Sequence, residues 1–308
     1  MPSGIYRPYQ LLAAALWCFV VLEVAAQGGL NPPLRFALKN ETNAAWNAQP
    51  ITSGVTLPQG AVTDVGQLVF REPGGAETPT QFLRTARWPN GTIKWVLLDF
   101  QASLPPGATR QYELRSGLPT TSTTTLSLLE GPSSLTVQSG AQMFVFNRNE
   151  LRILGREFRV TMGGNEFRAV PFAAPEPEAF PSPALPWQVE ECGPLKLVLR
   201  SEGEFRGVAN SFQRVGPYLR YRARLYFFAG QSSMRAYVTL RNNQSYDWAD
   251  EDPAAPLPDV SFSAIRLGAL ELVAPGTTNL FGPGLEKTWE VELSLDGAQA
   301  RQIVVRVD

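Results

Sequence analysis

Histidine is missing from all 308 residues. That absence excludes Ser-His-Asp and Cys-His nucleophilic catalysis, histidine general bases and histidine zinc sites together. Cysteine is nearly missing as well, with Cys18 and Cys192 the only two. There is no excess of either charge, since 27 basic and 28 acidic residues leave a net charge of −1. A chain so balanced carries no electrostatic footprint for nucleic acid. Apolar runs are short. The longest, Leu11 to Leu22, stops at Glu23, well below the about 20 residues that cross a bilayer. Helical periodicity is almost absent after residue 30. What the chain does have is a 44% hydrophobic content with only 18% charged residues, enough to bury a core without disulfides.

The N-terminus reads as a secretory signal, residues 1–26. Arg7 supplies the positive flank, Leu11 to Leu22 the apolar stretch, and Val24 and Ala26 the small residues before a cut at Gln27. Trp17 directly before Cys18 argues against a lipid-modified cysteine. The expected location is therefore secreted, extracellular or periplasmic, with no membrane association after cleavage. Once Cys18 has left, Cys192 has no internal partner and is expected to be a small buried hydrophobe.

Beyond the signal, short stretches rich in Val, Leu, Phe, Tyr and Thr alternate with Gly, Pro and Asn. This spacing predicts strands at 67–71, 80–85, 93–101 and 110–114, then at 134–137, 142–147, 156–161 and 166–170. A third set follows at 195–206, 218–228, 233–241, 260–267, 288–295 and 302–307. The threonine-rich stretch 118–125 reads as a linker, and the Pro- and Ala-rich stretch 172–186 as a long loop. Many short strands with turn signals between them predict an all-β barrel or sandwich.

Two patterns carry candidate chemistry. In Arg87-Trp88-Pro89-Asn90-Gly91-Thr92-Ile93-Lys94-Trp95, Pro presets φ and Asn-Gly accepts positive φ, so a tight turn joins two strands. Arg87, Trp88 and Lys94 would then form a sugar platform, an indole stacking on a pyranose beside cations for a uronate. The alternative is a hairpin held by packing of Trp88 and Trp95 in the core. In the second pattern, Leu219, Tyr221, Ala223, Leu225 and Phe227 alternate with Arg220, Arg222, Arg224 and Tyr226. If Gly230 turns a hairpin, Arg235, Tyr237 and Arg241 join the same solvated face. That face would clamp acidic polysaccharide, arginine holding carboxylates and tyrosine stacking on rings. The alternative is a salt-bridged ladder, with Glu202 and Glu204, or Glu290 and Glu292, lying opposite.

The first pattern belongs to a longer series: Gly54-Val-Thr-Leu-Pro-Gln-Gly60, Thr78-Pro-Thr-Gln81, Ala86 to Trp95, and Leu97-Leu-Asp-Phe100. In this order the motifs resemble the N-terminal RIFT-type barrel of the PcRGLX-like family of exo-rhamnogalacturonan lyases, over residues 34–118. Residues 190–295 resemble that family's central β-sandwich more weakly, through Cys192-Gly-Pro-Leu195, Phe228-Ala-Gly230 and Lys287-Thr-Trp-Glu290. The resemblance implies an all-β fold, a small N-terminal RIFT-type barrel followed by a β-sandwich over 128–308. It also implies a later α/α toroid as the seat of catalysis, and no such pattern follows here, so no catalytic residue is assigned.

Asp247, Asp250, Glu251 and Asp252 offer oxygen ligands but lack the spacing and glycine of a calcium loop, and are read as a solvated loop. Neither metal nor cofactor is expected. Asn40-Glu-Thr42, Asn90-Gly-Thr92 and Asn243-Gln-Ser245 fit the glycosylation pattern, which recurs by chance. The expected function is that of a secreted, non-catalytic, carbohydrate-associated protein with acidic polysaccharide as its partner. Two alternatives remain open at this level: a divergent lyase acting by β-elimination, and a structural protein that associates with itself through exposed sheet edges.

Overall fold

The computed structural model describes residues 29–120, 126–148, 150–153, 156–162, 165–171, 186–207, 219–242, 260–262, 264–267, 270–271, 279–281, 286–296 and 299–307. The signal segment, the long loop over 172–185, the acidic loop at Asp247–Asp252 and the pattern at Asn243 lie outside these residues. The chain divides into two compact units, Met1–Thr123 and Thr124–Asp308.

Among its described residues the first unit holds six strands: β1 (Leu34–Lys39), β2 (Trp46–Thr56), β3 (Leu68–Arg71), β4 (Thr80–Arg87), β5 (Ile93–Leu104) and β6 (Thr109–Ser116). They form two antiparallel three-stranded sheets, ordered β1-β6-β3 and β2-β5-β4. Alternation drives both inward faces into one core. Phe70 stacks on Tyr112 with centroids 4.9 Å apart, and Phe100 meets Phe70 at 4.8 Å and Tyr112 at 5.3 Å. Strands β1 and β2 were not expected from the sequence. Pro50 and Gly54 interrupt the second, yet it is an edge strand, where a missing ladder donor is tolerated. Asn40 is fully buried and donates to the carbonyls of Ala44, Leu104 and Pro105. In the folded chain the asparagine of this glycosylation pattern is thus tied into the interior.

The second unit begins with β7 (Leu126–Glu130), β8 (Ser134–Ser139) and β9 (Gln142–Asn147), a sheet of three. Then come β10 (Arg152–Ile153), β11 (Arg156–Met162), β12 (Asn165–Pro171), β13 (Gln188–Cys192), β14 (Lys196–Gly207), β15 (Leu219–Phe228) and β16 (Ser233–Asn242). The last six are β17 (Val260–Phe262), β18 (Ala264–Leu267), β19 (Leu270–Glu271), β20 (Asn279–Phe281), β21 (Glu286–Asp296) and β22 (Gln299–Val307). Eleven of these make one antiparallel sheet along β19-β18-β11-β12-β14-β15-β16-β21-β22, with β10 beside β11 and β13 beside β14. The β7–β9 sheet packs onto its inner face. Phe144 and Phe146 lie 5.1 Å and 5.7 Å from Phe227, and both layers share one hydrophobic core. Two sheets facing each other over a common core make a sandwich-like unit.

Two differences from the sequence reading have physical causes. The run 260–267 predicts one strand, but β17 pairs with β20 whereas β18 pairs with β11, because an apolar run does not specify its partners. Cys192 was expected to be buried and is exposed. It ends β13, which among the described residues pairs with β14 alone and presents exposed residues along most of its length.

Candidate functional site

The first candidate lies at the turn between β4 and β5. Trp88 N–H donates to the Thr92 carbonyl at 2.8 Å and Gly91 N–H to the Trp88 carbonyl at 2.9 Å. The Asn90 side chain accepts from the Thr92 amide and hydroxyl, and Gly91 takes a φ of 84° as the Asn-Gly pair predicts. Around this turn the structure gathers Arg87, Trp88 and Lys94. Arg87 donates to the Thr63 carbonyl at 3.1 Å and to the Gly91 carbonyl. The Trp88 indole N–H donates to the Leu57 carbonyl at 3.0 Å, and the Lys94 ammonium sits 4.7 Å from the Trp88 ring centroid. A cation over an indole is a favourable contact, but it also covers one ring face. Trp88 is therefore a seat for Lys94 rather than an open stacking platform. Among the described residues no carboxylate pairs with Arg87 or Lys94.

Neither indole of the hairpin is in the core: Trp88 is half-buried and Trp95 is exposed. Trp95 lies opposite Thr56 and Ala86 and is 43% exposed. Alternation puts Lys94 and Trp95 on opposite faces of β5, so core packing of the two indoles is excluded. The sequence marked the hairpin correctly. It did not tell which indole faces solvent, because the inward parity of β5 is set by Val96, Leu98 and Phe100 meeting the other sheet.

The second candidate is the arginine stripe. Tyr221, Ala223, Leu225 and Phe227 are buried as expected, and Gly230 with a φ of 70° turns the β15–β16 hairpin. Register then supplies the neighbours. Glu202 faces Arg222, Glu204 faces Arg220, and Arg200 faces Arg224 across β14–β15. On the other flank Arg241 faces Glu286, Tyr237 faces Glu290 and Arg235 faces Glu292. Both glutamate pairs that the sequence offered are in place, on opposite sides of the hairpin.

The ion pairs close the ladder. Glu202 accepts from Arg200 at 2.5 Å and from Arg222. Glu190 takes two bonds from Arg224, at 2.6 Å and 2.8 Å. Arg241 lies 3.6 Å from Glu286, and Arg220 is engaged too. The hydrogen bond from Arg224 holds the Glu190 carboxyl below its ordinary range against the effect of burial. Burial pushes Glu202 up, and the bonds from Arg200 and Arg222 outweigh it, so its pKa also ends low. Tyr226 and Tyr237 meet edge to face at 5.1 Å. Burial, with the Glu290 charge adding, pushes the Tyr237 phenol up to about 12. Glu190 was missed from the sequence because β13, its strand, was not expected. Its adjacent glutamates, Glu190 and Glu191, gave no strand signal. Among the described residues no group of three or more Cys, Asp or Glu stands close enough to hold a metal ion, and no helix is long and apolar enough to cross a membrane.

The fold defines an all-β module in which a six-stranded barrel precedes a sandwich-like unit, each with its own core. The first unit can be placed more closely. Residues 35–116 match the family described as the PcRGLX-like N-terminal RIFT barrel domain, which makes this a β module related to carbohydrate-active enzymes. No curated protein matches the chain. Among solved structures, a protein in the glycosyl hydrolase family 38 from Enterococcus faecalis is similar at 9% identity and a TM-score of 0.42, over 90% of this chain and 40% of that one. An alpha-mannosidase from Enterococcus faecalis V583 is similar at 10% identity and a TM-score of 0.39, over 89% of this chain and 39% of its own. The chain thus spans less than half the length of either.

Proposed function

We propose that this chain is an exported, carbohydrate-associated β module that holds acidic polysaccharide at the turn end of its first unit and does not cleave it. The observation that carries the reading is the contrast between the two cationic sites. Among the described residues, Arg87 and Lys94 stand beside Trp88 without a carboxylate partner, in the RIFT barrel unit. The arginines of the stripe are met by carboxylates on both flanks. An incoming uronate at the turn would gain charge-assisted hydrogen bonds from guanidinium and ammonium without displacing a described carboxylate. On the stripe it would have to compete with Glu190 and Glu202, so the stripe serves the sheet rather than a ligand. Single exposed contacts of this kind contribute about 0–1 kcal/mol each. Useful affinity therefore comes from a polymer touching several sites.

Affinity electrophoresis through polygalacturonate gels tests this. Arg87→Ala/Lys94→Ala should abolish retardation, whereas Arg220→Ala/Arg222→Ala/Arg224→Ala, corrected for charge in a blank gel, should not. The reverse result would move the site to the stripe. Ultraviolet absorbance from an unsaturated product on the same polymer would overturn the non-catalytic reading in favour of a lyase.

A further inference from the structure

The outer face of the β2-β5-β4 sheet carries an apolar patch that the reading above leaves unused. Along β5, Trp95 and Leu97 alternate with the buried Val96 and Leu98 and so share the face turned away from the core. Across β4, Leu97 stands opposite Leu83, which is 40% exposed. Across β2 the partners of Trp95 and Leu97 are Thr56 and Gly54. Gly54 lies diagonal to Trp95, and a Cβ built there meets only Leu97, at 3.7 Å. The sheet surface beside the indole is therefore low and open. The result is a flat shelf: one large ring, two leucines, and a glycine that leaves one ring edge free.

We infer that this shelf is a stacking subsite for the apolar face of a pyranose ring, an inference that rests on the carbohydrate-associated reading above. Size chooses the occupant. The exposed apolar area of Trp95, Leu83 and Leu97 is on the order of 200 Å². A stable protein partner or second copy buries about 800 Å² on each side. The shelf is too small for either and fits one or two sugar rings. Its chemistry agrees. An indole presents a broad π face to the C–H groups of a sugar, and the strands flanking it add the hydroxyls of Thr56 and, at the β4 bulge, the exposed Thr85. No residue of these two rows is acidic or basic, so the shelf suits the neutral face of a sugar. Lys94, on the opposite face of β5, sits over Trp88 at the adjoining turn and does not border the shelf. The two faces of β5 thus divide stacking from charge.

Two variants separate the shelf from the fold. Trp95→Ala removes the ring. Gly54→Thr keeps the ring and raises a wall beside it, at a strand position where threonine is favoured and no backbone clash arises. The probes are polygalacturonate and neutral galactan in affinity gels, with thermal melts and sedimentation on each protein. Both variants should lose about tenfold in affinity wherever the parent is retarded, with melts within a few degrees of the parent. Trp95→Phe should recover part of the loss. Parent-like retardation of Gly54→Thr and Trp95→Ala would overturn the shelf while leaving the module reading intact. An unretarded parent protein in every gel would overturn the module reading itself. A parent dimer that dissociates in Trp95→Ala would assign the shelf to a second copy instead.

Discussion

Glu202→Gln exposes what the arginine ladder contributes. The Glu202 carboxylate receives Arg200 at 2.5 Å and Arg222 from the neighbouring strand. Replacing it with an amide leaves two guanidiniums close together with one acceptor oxygen between them. Were the pair fully buried, stranding a charge would cost about 3–5 kcal/mol. It is not: the side chains retain 35%, 43% and 29% of their exposure for Arg200, Arg222 and Glu202. Water and salt screen such groups, so the expected loss is about 1 kcal/mol at pH 7. The sign with pH follows from the depressed carboxyl. Its folded pKa lies below the ordinary 4.5, so its stabilising contribution is complete above that value and disappears as pH falls through the lower folded value. Urea unfolding followed by circular dichroism should therefore separate parent and variant at pH 7. The two should converge as pH falls through the lowered folded value of the carboxyl, and the gap at pH 7 should narrow in about 1 M salt. A variant as stable as the parent at pH 7, or a gap that persists undiminished at low pH, would refute the ladder as a source of stability.

Two further substitutions test the backbone. Gly203→Ala should destabilise the second unit by about 1–3 kcal/mol or more, since an added Cβ would collide with the Val170 carbonyl and lie 2.8 Å from both Pro171 Cα and Tyr221 Cε1. A thermal melt matching the parent would show that β12 can move aside. Gly91→Val meets no atom within 4 Å, yet its φ of 84° strains a branched residue, at about 1–3 kcal/mol. A first-unit melt unaffected by this change would mean that the turn can adopt another conformation.

Alternation along Tyr221–Phe227 and Met234–Leu240 was legible without coordinates, because a strand's period of two sorts apolar from polar residues wherever one face is buried. The Asn90-Gly91 turn and the Gly230 turn were legible for a similar local reason, the positive φ that few residues accept. The ordered motifs from Gly54 to Phe100 were sufficient to place the barrel. Strands β2 and β13 were hidden by Pro50, Gly54 and a run of glutamates, residues that pair in a sheet only because a neighbour is already there.

What tertiary structure alone decided was neighbourhood. Whether Arg222 and Arg224 reach a ligand or a carboxylate depends on which strand lies alongside and in which register, and one residue of slip would have reversed every facing pair. Burial of Cys192 depended on whether β13 would be covered on its outer side. The fate of the two indoles turned on the same kind of fact: Trp88 curls under Lys94, while Trp95 points out because Val96 and Leu98 claim the core. Local sequence sets the period and the turns through short-range sterics. Partners across a sheet are set by contacts distant in the chain, which no local pattern records.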